Sequence, residues 1–192
     1  MQDPRWGHSV YTLKKQIFKL VGQNFFIYDN QQQLAFFAHQ KGFKLKEDIR
    51  IFTDDKQSVE LFRIAARSII DFSAAYDVFD SQTNEKVGVF KRKGLASIAR
   101  DEWQILDANE VQYGTLIEDT LLMALLRRLL SALIPQNYDL LIGGQRAVDF
   151  RQNFNPFSYN LVIELTPGAQ IDKRMAIAGA VLLAAVEGRQ SG

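Results

Sequence analysis

The stretch Met175–Val186, MAIAGAVLLAAV, carries no charged or hydrogen-bonding side chain; Asp172-Lys173-Arg174 lead into it and Glu187 follows it. A helix that is apolar on every side has to be enclosed, by protein or by lipid. Its residues, at a rise of 1.5 Å each, span only ~18 Å, well short of the roughly 30 Å hydrocarbon slab that a crossing helix must cover. Protein is therefore the expected surrounding, and the rest of the chain has to supply it.

Upstream, from Val10 to Leu165, short alternating runs rich in β-branched and aromatic residues are separated by Asp, Asn, Gln and Gly, the pattern of an antiparallel meander. Strands are predicted at Thr12–Val21, Asn24–Asp29, Leu34–Gln40, Ile49–Thr53, Val59–Arg67 and Ala75–Asp80. Six more are predicted at Val87–Lys93, Glu102–Asp107, Gln112–Ile117, Asn137–Gly143, Arg146–Gln152 and Ser158–Leu165. A repeat runs through the series. Phe26-Ile-Tyr-Asp29 answers to Asp77-Val-Phe-Asp80, Lys41-Gly42-Phe43 to Lys93-Gly94-Leu95, and Ile51 to Ile105, so the repeating unit is four strands. In the third copy Gly143-Gly144 can take the positive φ angles of a tight hairpin turn. The meander can form an antiparallel sheet or a barrel; if it closes, a ring of about twelve strands is too wide for side chains alone to fill, and a narrow helix rich in Ala and Gly would fill it.

One segment breaks the meander. Thr120–Ile134, TLLMALLRRLLSALI, spaces its leucines as a helix does and is stopped by Pro135; only a narrow strip holding Arg127 and Arg128 is polar. Such a helix suits packing over the barrel or against a partner chain, self-association included, better than a membrane interface, which favours a broad cationic face.

Composition narrows the function. With 192 residues the chain is expected to form a flexible N-terminus over 1–9 and a single domain over 10–190, with an extra helix at 120–134 and the central helix at 172–188. A net charge of +1 gives no global pull on nucleic acid or an acidic membrane, so any attraction has to be local. The absence of cysteine removes disulfides, thiolate metal sites and a Cys nucleophile. The opening MQDPRWGHS lacks the apolar core of a signal peptide, and a cytoplasmic location is expected.

The repeated hairpin Tyr76–Asp80, Val87-Gly88 and Lys91-Arg92-Lys93, followed by Trp103–Asp107, Tyr113-Gly114, Tyr159–Ile163, Thr166-Pro167-Gly168 and the apolar final helix, resembles the Tubby C-terminal-like superfamily. Within it the chain is most similar to the LURP-one-related proteins, with phospholipid scramblases as more distant relatives. The resemblance spans nearly the whole chain and implies a closed antiparallel barrel of about twelve strands threaded by the C-terminal helix. It also implies a non-enzymatic binding module, because relatives of the Tubby type bind phosphoinositides.

The basic hairpin ends are the first candidates for a site. Lys41, Lys44, Lys46, Lys91, Arg92 and Lys93 fall at equivalent places in the repeat, and on one barrel rim they would make an anion site for phospholipid headgroups. The competing interpretation is that they only blunt exposed strand ends. A protein-interaction or scaffold domain without lipid activity is the alternative function, and scramblase-like lipid transfer the third. The loop Thr166–Asp172 holds one carboxylate, which argues against the calcium site expected in scramblases and leaves Asp172 as a helix cap. No cofactor and no metal site are expected: His8 and His39 have no metal-binding spacing, and no nucleophile elbow or phosphate-cradling glycine loop occurs. The acidic pairs, Asp54-Asp55 among them, fall at turns where carboxylates mostly accept backbone hydrogen bonds. Lysines among aromatics, as in Ile17-Phe18-Lys19, are better spent on a barrel interior than on nucleic acid, so no nucleic-acid partner is expected.

Overall fold

Twelve antiparallel strands form one closed barrel in the computed structural model, which describes residues 3–18, 22–41, 48–68, 74–93, 102–118, 136–153 and 159–187. They are β1 (Val10–Phe18), β2 (Gly22–Asp29), β3 (Leu34–Lys41), β4 (Ile49–Phe52), β5 (Glu60–Ser68) and β6 (Ala75–Asp80). The second half comprises β7 (Lys86–Arg92), β8 (Glu102–Leu106), β9 (Gln112–Glu118), β10 (Asn137–Ile142), β11 (Gln145–Asn153) and β12 (Tyr159–Leu165). Each strand pairs with its neighbours in sequence, and β1 closes the ring on β12 through Val10↔Glu164 to Lys15↔Tyr159. All twelve expected strands are present, shifted at their ends by a few residues. The expected helix over 120–134 lies outside the described residues.

The helix α1 (Lys173–Glu187) runs inside the barrel. Its core residues Met175, Ala176, Ile177, Ala178, Ala180 and Val181 are fully buried, and Leu182 and Leu183 almost so. Small residues let it fit. A Cβ on Gly179 would come within 3.3 Å of the Phe90 ring, and one on Gly88 would lie 2.8 Å from the Leu106 carbonyl oxygen and 2.9 Å from Met175. Inward residues such as Leu13, Phe25, Ile27, Phe36, Ile51 and Phe62 complete one continuous core, as a period-two pattern on a closed sheet requires. Among the described residues no helix is long and apolar enough to cross a membrane.

The meander sorts its connections onto two rims. At the first, the chain turns repeatedly on an aspartate: Oδ1 of Asp29 accepts from the amides of Gln31 and Gln33, and that of Asp54 from Lys56 and Ser58. Asp80 does the same with Gln82 and Thr83, and Asp107 with Asn109 and Val111. Each turn ends on a residue in the left-handed region, Gln32, Gln57, Asn84 and Glu110 in that order. A shift of strand register sits just before the turn in each hairpin, at Ile27, Ile51, Val78 and Ile105. The Asp turn thus recurs at each of these four hairpins, twice within each of the first two four-strand units read from the sequence. In the third copy Gly143 (φ 57°) and Gly144 (φ 80°) form the two-residue turn instead.

The described residues before β1 pack at this Asp rim. Pro4–Gly7 form a 3-10 helix capped by Asp3, whose carboxylate accepts from the Arg5 amide. The Trp6 ring lies 4.5 Å from that of Phe36, and the Tyr11 hydroxyl donates to the Arg5 carbonyl at 2.8 Å. Burial, foremost, pushes the Tyr11 hydroxyl pKa up to about 12. The Lys173 ammonium reaches the carbonyls of Trp6 and His8, tying the start of α1 to the N-terminus.

Candidate functional site

β3 ends at Lys41 and β7 at Arg92, and the antiparallel order puts both ends on the rim opposite the aspartate turns. The basic hairpin ends therefore share one rim, as equivalent positions of a four-strand repeat should. The same repeat keeps these strand ends apart: β4, β5 and β6 lie between β3 and β7, so the backbone at Lys41 and at Arg92 is separated by four strand spacings, ~19 Å along the wall. Lys44 and Lys46 lie outside the described residues.

Alternation divides the second cluster. Lys91 is exposed, and among the described residues it forms no ion pair. Lys93 lies on the same face and meets Glu102 at 2.5 Å. Arg92 shares the inward face of Phe90, with its guanidinium 5.8 Å from the centroid of the Trp103 ring, its cross-strand neighbour. Lys91 of this trio thus offers an exposed ammonium with no ion pair among the described residues, that of Lys93 is held by Glu102, and Arg92 lines the mouth from within.

Sequence reasoning missed a polar lining behind this rim. Lys15, Gln23, Gln40, Glu118 and Gln136 are all buried, as are Tyr138 and Trp103. Gln23 stands opposite Gln40 on β2 and β3, and Glu118 opposite Tyr138 on β9 and β10. Lys15 Nζ donates at 2.9 Å to the carbonyl of Ala184 in the last turns of α1, where a cation meets the negative end of the helix. The rings of Phe25 and Tyr159 flank that ammonium at 5.9 and 6.0 Å. Gln23 Oε1 and Trp103 Nε1 have no hydrogen-bond partner among the described residues. The signal was available in sequence: Leu13-x-Lys15, Gln23-x-Phe25, Ala38-x-Gln40 and Leu116-x-Glu118 each put a polar residue in phase with apolar inward ones.

The remaining candidates take structural roles. Asp54 accepts local hydrogen bonds at its turn, foremost from the Ser58 hydroxyl, and its pKa is lowered. Asp172 caps α1 through the Arg174 amide at 2.8 Å. His8 sits 3.3 Å from Asp29 at the Asp rim, whereas His39 bonds Asn24 at 2.7 Å towards the basic rim, so the two histidines are far apart. Among the described residues no three His, Asp or Glu side chains are grouped to hold a metal ion.

A twelve-strand barrel plugged by an apolar C-terminal helix, built on a repeated Asp-turn hairpin, is the architecture that the sequence resemblance implied. No curated protein is a match to the chain. The family model described as LURP-one-related matches residues 34–183, far more than half of the 192 residues, from β3 into α1. The chain belongs to the LURP-one-related family.

Proposed function

We propose that this domain is a non-enzymatic binding module that docks through its basic rim on anionic phospholipid, as a cytoplasmic protein peripheral to the membrane. The observation that carries the proposal is the sorting of charge between the rims. The hairpin ends at Lys41 and Lys91–Lys93 emerge at one end of the barrel, while the aspartate turns gather at the other. A chain with a net charge of +1 can thereby carry local positive charge at one rim, with Lys91 open to solvent there. Each Lys or Arg held near an anionic leaflet contributes ~1 kcal/mol, and basic strand ends spaced around the rim suit a plane of headgroups better than one compact anion.

Liposome flotation tests this directly. Binding should rise with the content of phosphatidylserine or phosphoinositide, fall with added salt, and weaken on Lys41→Glu and Lys91→Glu substitution. Equal binding to neutral vesicles, or insensitivity to both substitutions, would discard the lipid proposal in favour of a protein-interaction domain.

A further inference from the structure

Between the 3-10 helix and the first turn of α1, the Asp rim holds a cavity of about 670 Å³. That volume lies within the ~300–1,000 Å³ typical of small-molecule sites. Trp6, Leu61 and Ile171 form its apolar wall, and Trp6 is held by packing on Phe36 and Phe62. The other side carries Asp80, Asp172, Lys173 and Arg174, whose charges cancel.

The hydrogen-bonding capacity of these four groups does not cancel. Arg174 gives Nε and Nη2 to Asp172 and Nη1 to Asp80, the shortest contacts being 2.6 Å. A guanidinium has five N–H groups, so one on each terminal nitrogen remains. Lys173 spends two of its three N–H groups on the Trp6 and His8 carbonyls. Asp80 takes the amides of Gln82 and Thr83 on one oxygen and Arg174 on the other, and both Asp172 oxygens are likewise engaged. The carboxylates are satisfied by the protein's own donors, while both cations retain donors beside an apolar wall.

We infer that the cavity binds a small amphipathic acid. Its carboxylate takes the spare N–H groups of Arg174 and Lys173, and its apolar body lies against Trp6, Leu61 and Ile171. A carboxylate is favoured over a neutral acceptor because charge-assisted hydrogen bonds are about twice as strong as neutral ones. This site is at the opposite end of the barrel from the basic rim and is independent of it.

Isothermal calorimetry on the full chain, with phenylacetate and hexanoate set against phenylacetamide and hexanamide, tests the inference. Each acid that fits should bind at least tenfold more tightly than its amide, and the better acid tells whether the body is aromatic or aliphatic. Ile171→Trp, which intrudes on the apolar wall and leaves the ion pairs in place, should weaken binding. Arg174→Gln should remove the preference for acid over amide, with a thermal melt confirming that the barrel is intact. Lys91→Glu, at the other rim, should change nothing here even if it abolishes vesicle binding. No saturable heat from either acid, equal affinity for acids and amides, or full binding by the Ile171→Trp variant would overturn the inference.

Discussion

The two rims of the barrel are closed by different physics. At the Asp rim the four aspartate turns are stabilised first by local bonds, with Asp29, Asp54, Asp80 and Asp107 accepting from amides two to four residues ahead. Lys173 and Arg174 add long-range ties there, to the N-terminus and to Asp80. Behind the basic rim the key contact is non-local, with Lys15 reaching a helix carbonyl 169 residues away in sequence. Damage to one aspartate turn should therefore stay local, whereas loss of Lys15 should loosen the C-terminal end of the helix that the whole barrel is built around.

The largest effect is expected where the plug itself is charged. Leu182 is 2% exposed, and Leu182→Asp removes its packing and buries an unpaired carboxylate. The expected cost is on the order of 5 kcal/mol or more, comparable to the stability of a whole domain. Loss of the cooperative unfolding transition in circular dichroism checks this; a folded Leu182→Asp variant would refute the enclosed helix.

Lys15→Met comes next. It keeps the aliphatic stem and deletes the charge-assisted bond to Ala184, for an expected loss of about 1.5–3 kcal/mol. Asp107→Ala, which removes purely local bonds at the other rim, should cost about 1 kcal/mol. Urea titrations of the two variants compare the rims directly, and an Asp107→Ala cost exceeding that of Lys15→Met would reverse the contrast drawn above.

A smaller effect belongs to pH. Glu110, on the β8–β9 turn of the Asp rim, takes hydrogen bonds foremost from Arg67 and then from Lys86, which hold its carboxyl at about 2 instead of 4.5. The folded value is depressed, so this interaction stabilises the protein above the unfolded value and is lost as pH falls through the folded one. Asp80 is shifted in the same direction. Its burial opposes the shift, but the amides of Thr83 and Gln82 and the Arg174 guanidinium outweigh it. The melting temperature should fall between about pH 5 and 2, and Glu110→Gln should flatten part of that limb. An unchanged acid limb in the variant would show that the network contributes nothing. The smallest effect on stability is expected from Lys91→Glu, within ~0.5 kcal/mol because the side chain is exposed and has no ion-pair partner among the described residues.

Much of the fold was legible because its signals are local. Alternation in Phe25-x-Ile27 or Leu161-x-Ile163 identifies a strand without reference to its neighbours, and the recurrence of Asp29 at Asp80 betrays the repeat. The candidate site was less legible. Lys91, Arg92 and Lys93 look alike in sequence, yet one is open to solvent, one stacks inside on Trp103 and one is held by Glu102. Even there the inward phase of Arg92 follows from Phe90, two residues earlier; its stacking partner does not.

The sequence by itself determined a meander of twelve strands and an apolar helix too short to cross a bilayer, because strand period, turn chemistry and helix length are properties of contiguous residues. Only the tertiary structure decided that the strand ends at Lys41 and Arg92 share a rim four strands apart, and that Trp6 and Lys173, distant in sequence, wall one cavity. The physical reason is closure: ring order, strand pairing and the path of the helix through the ring bring together groups whose separation along the chain carries no trace of their contact.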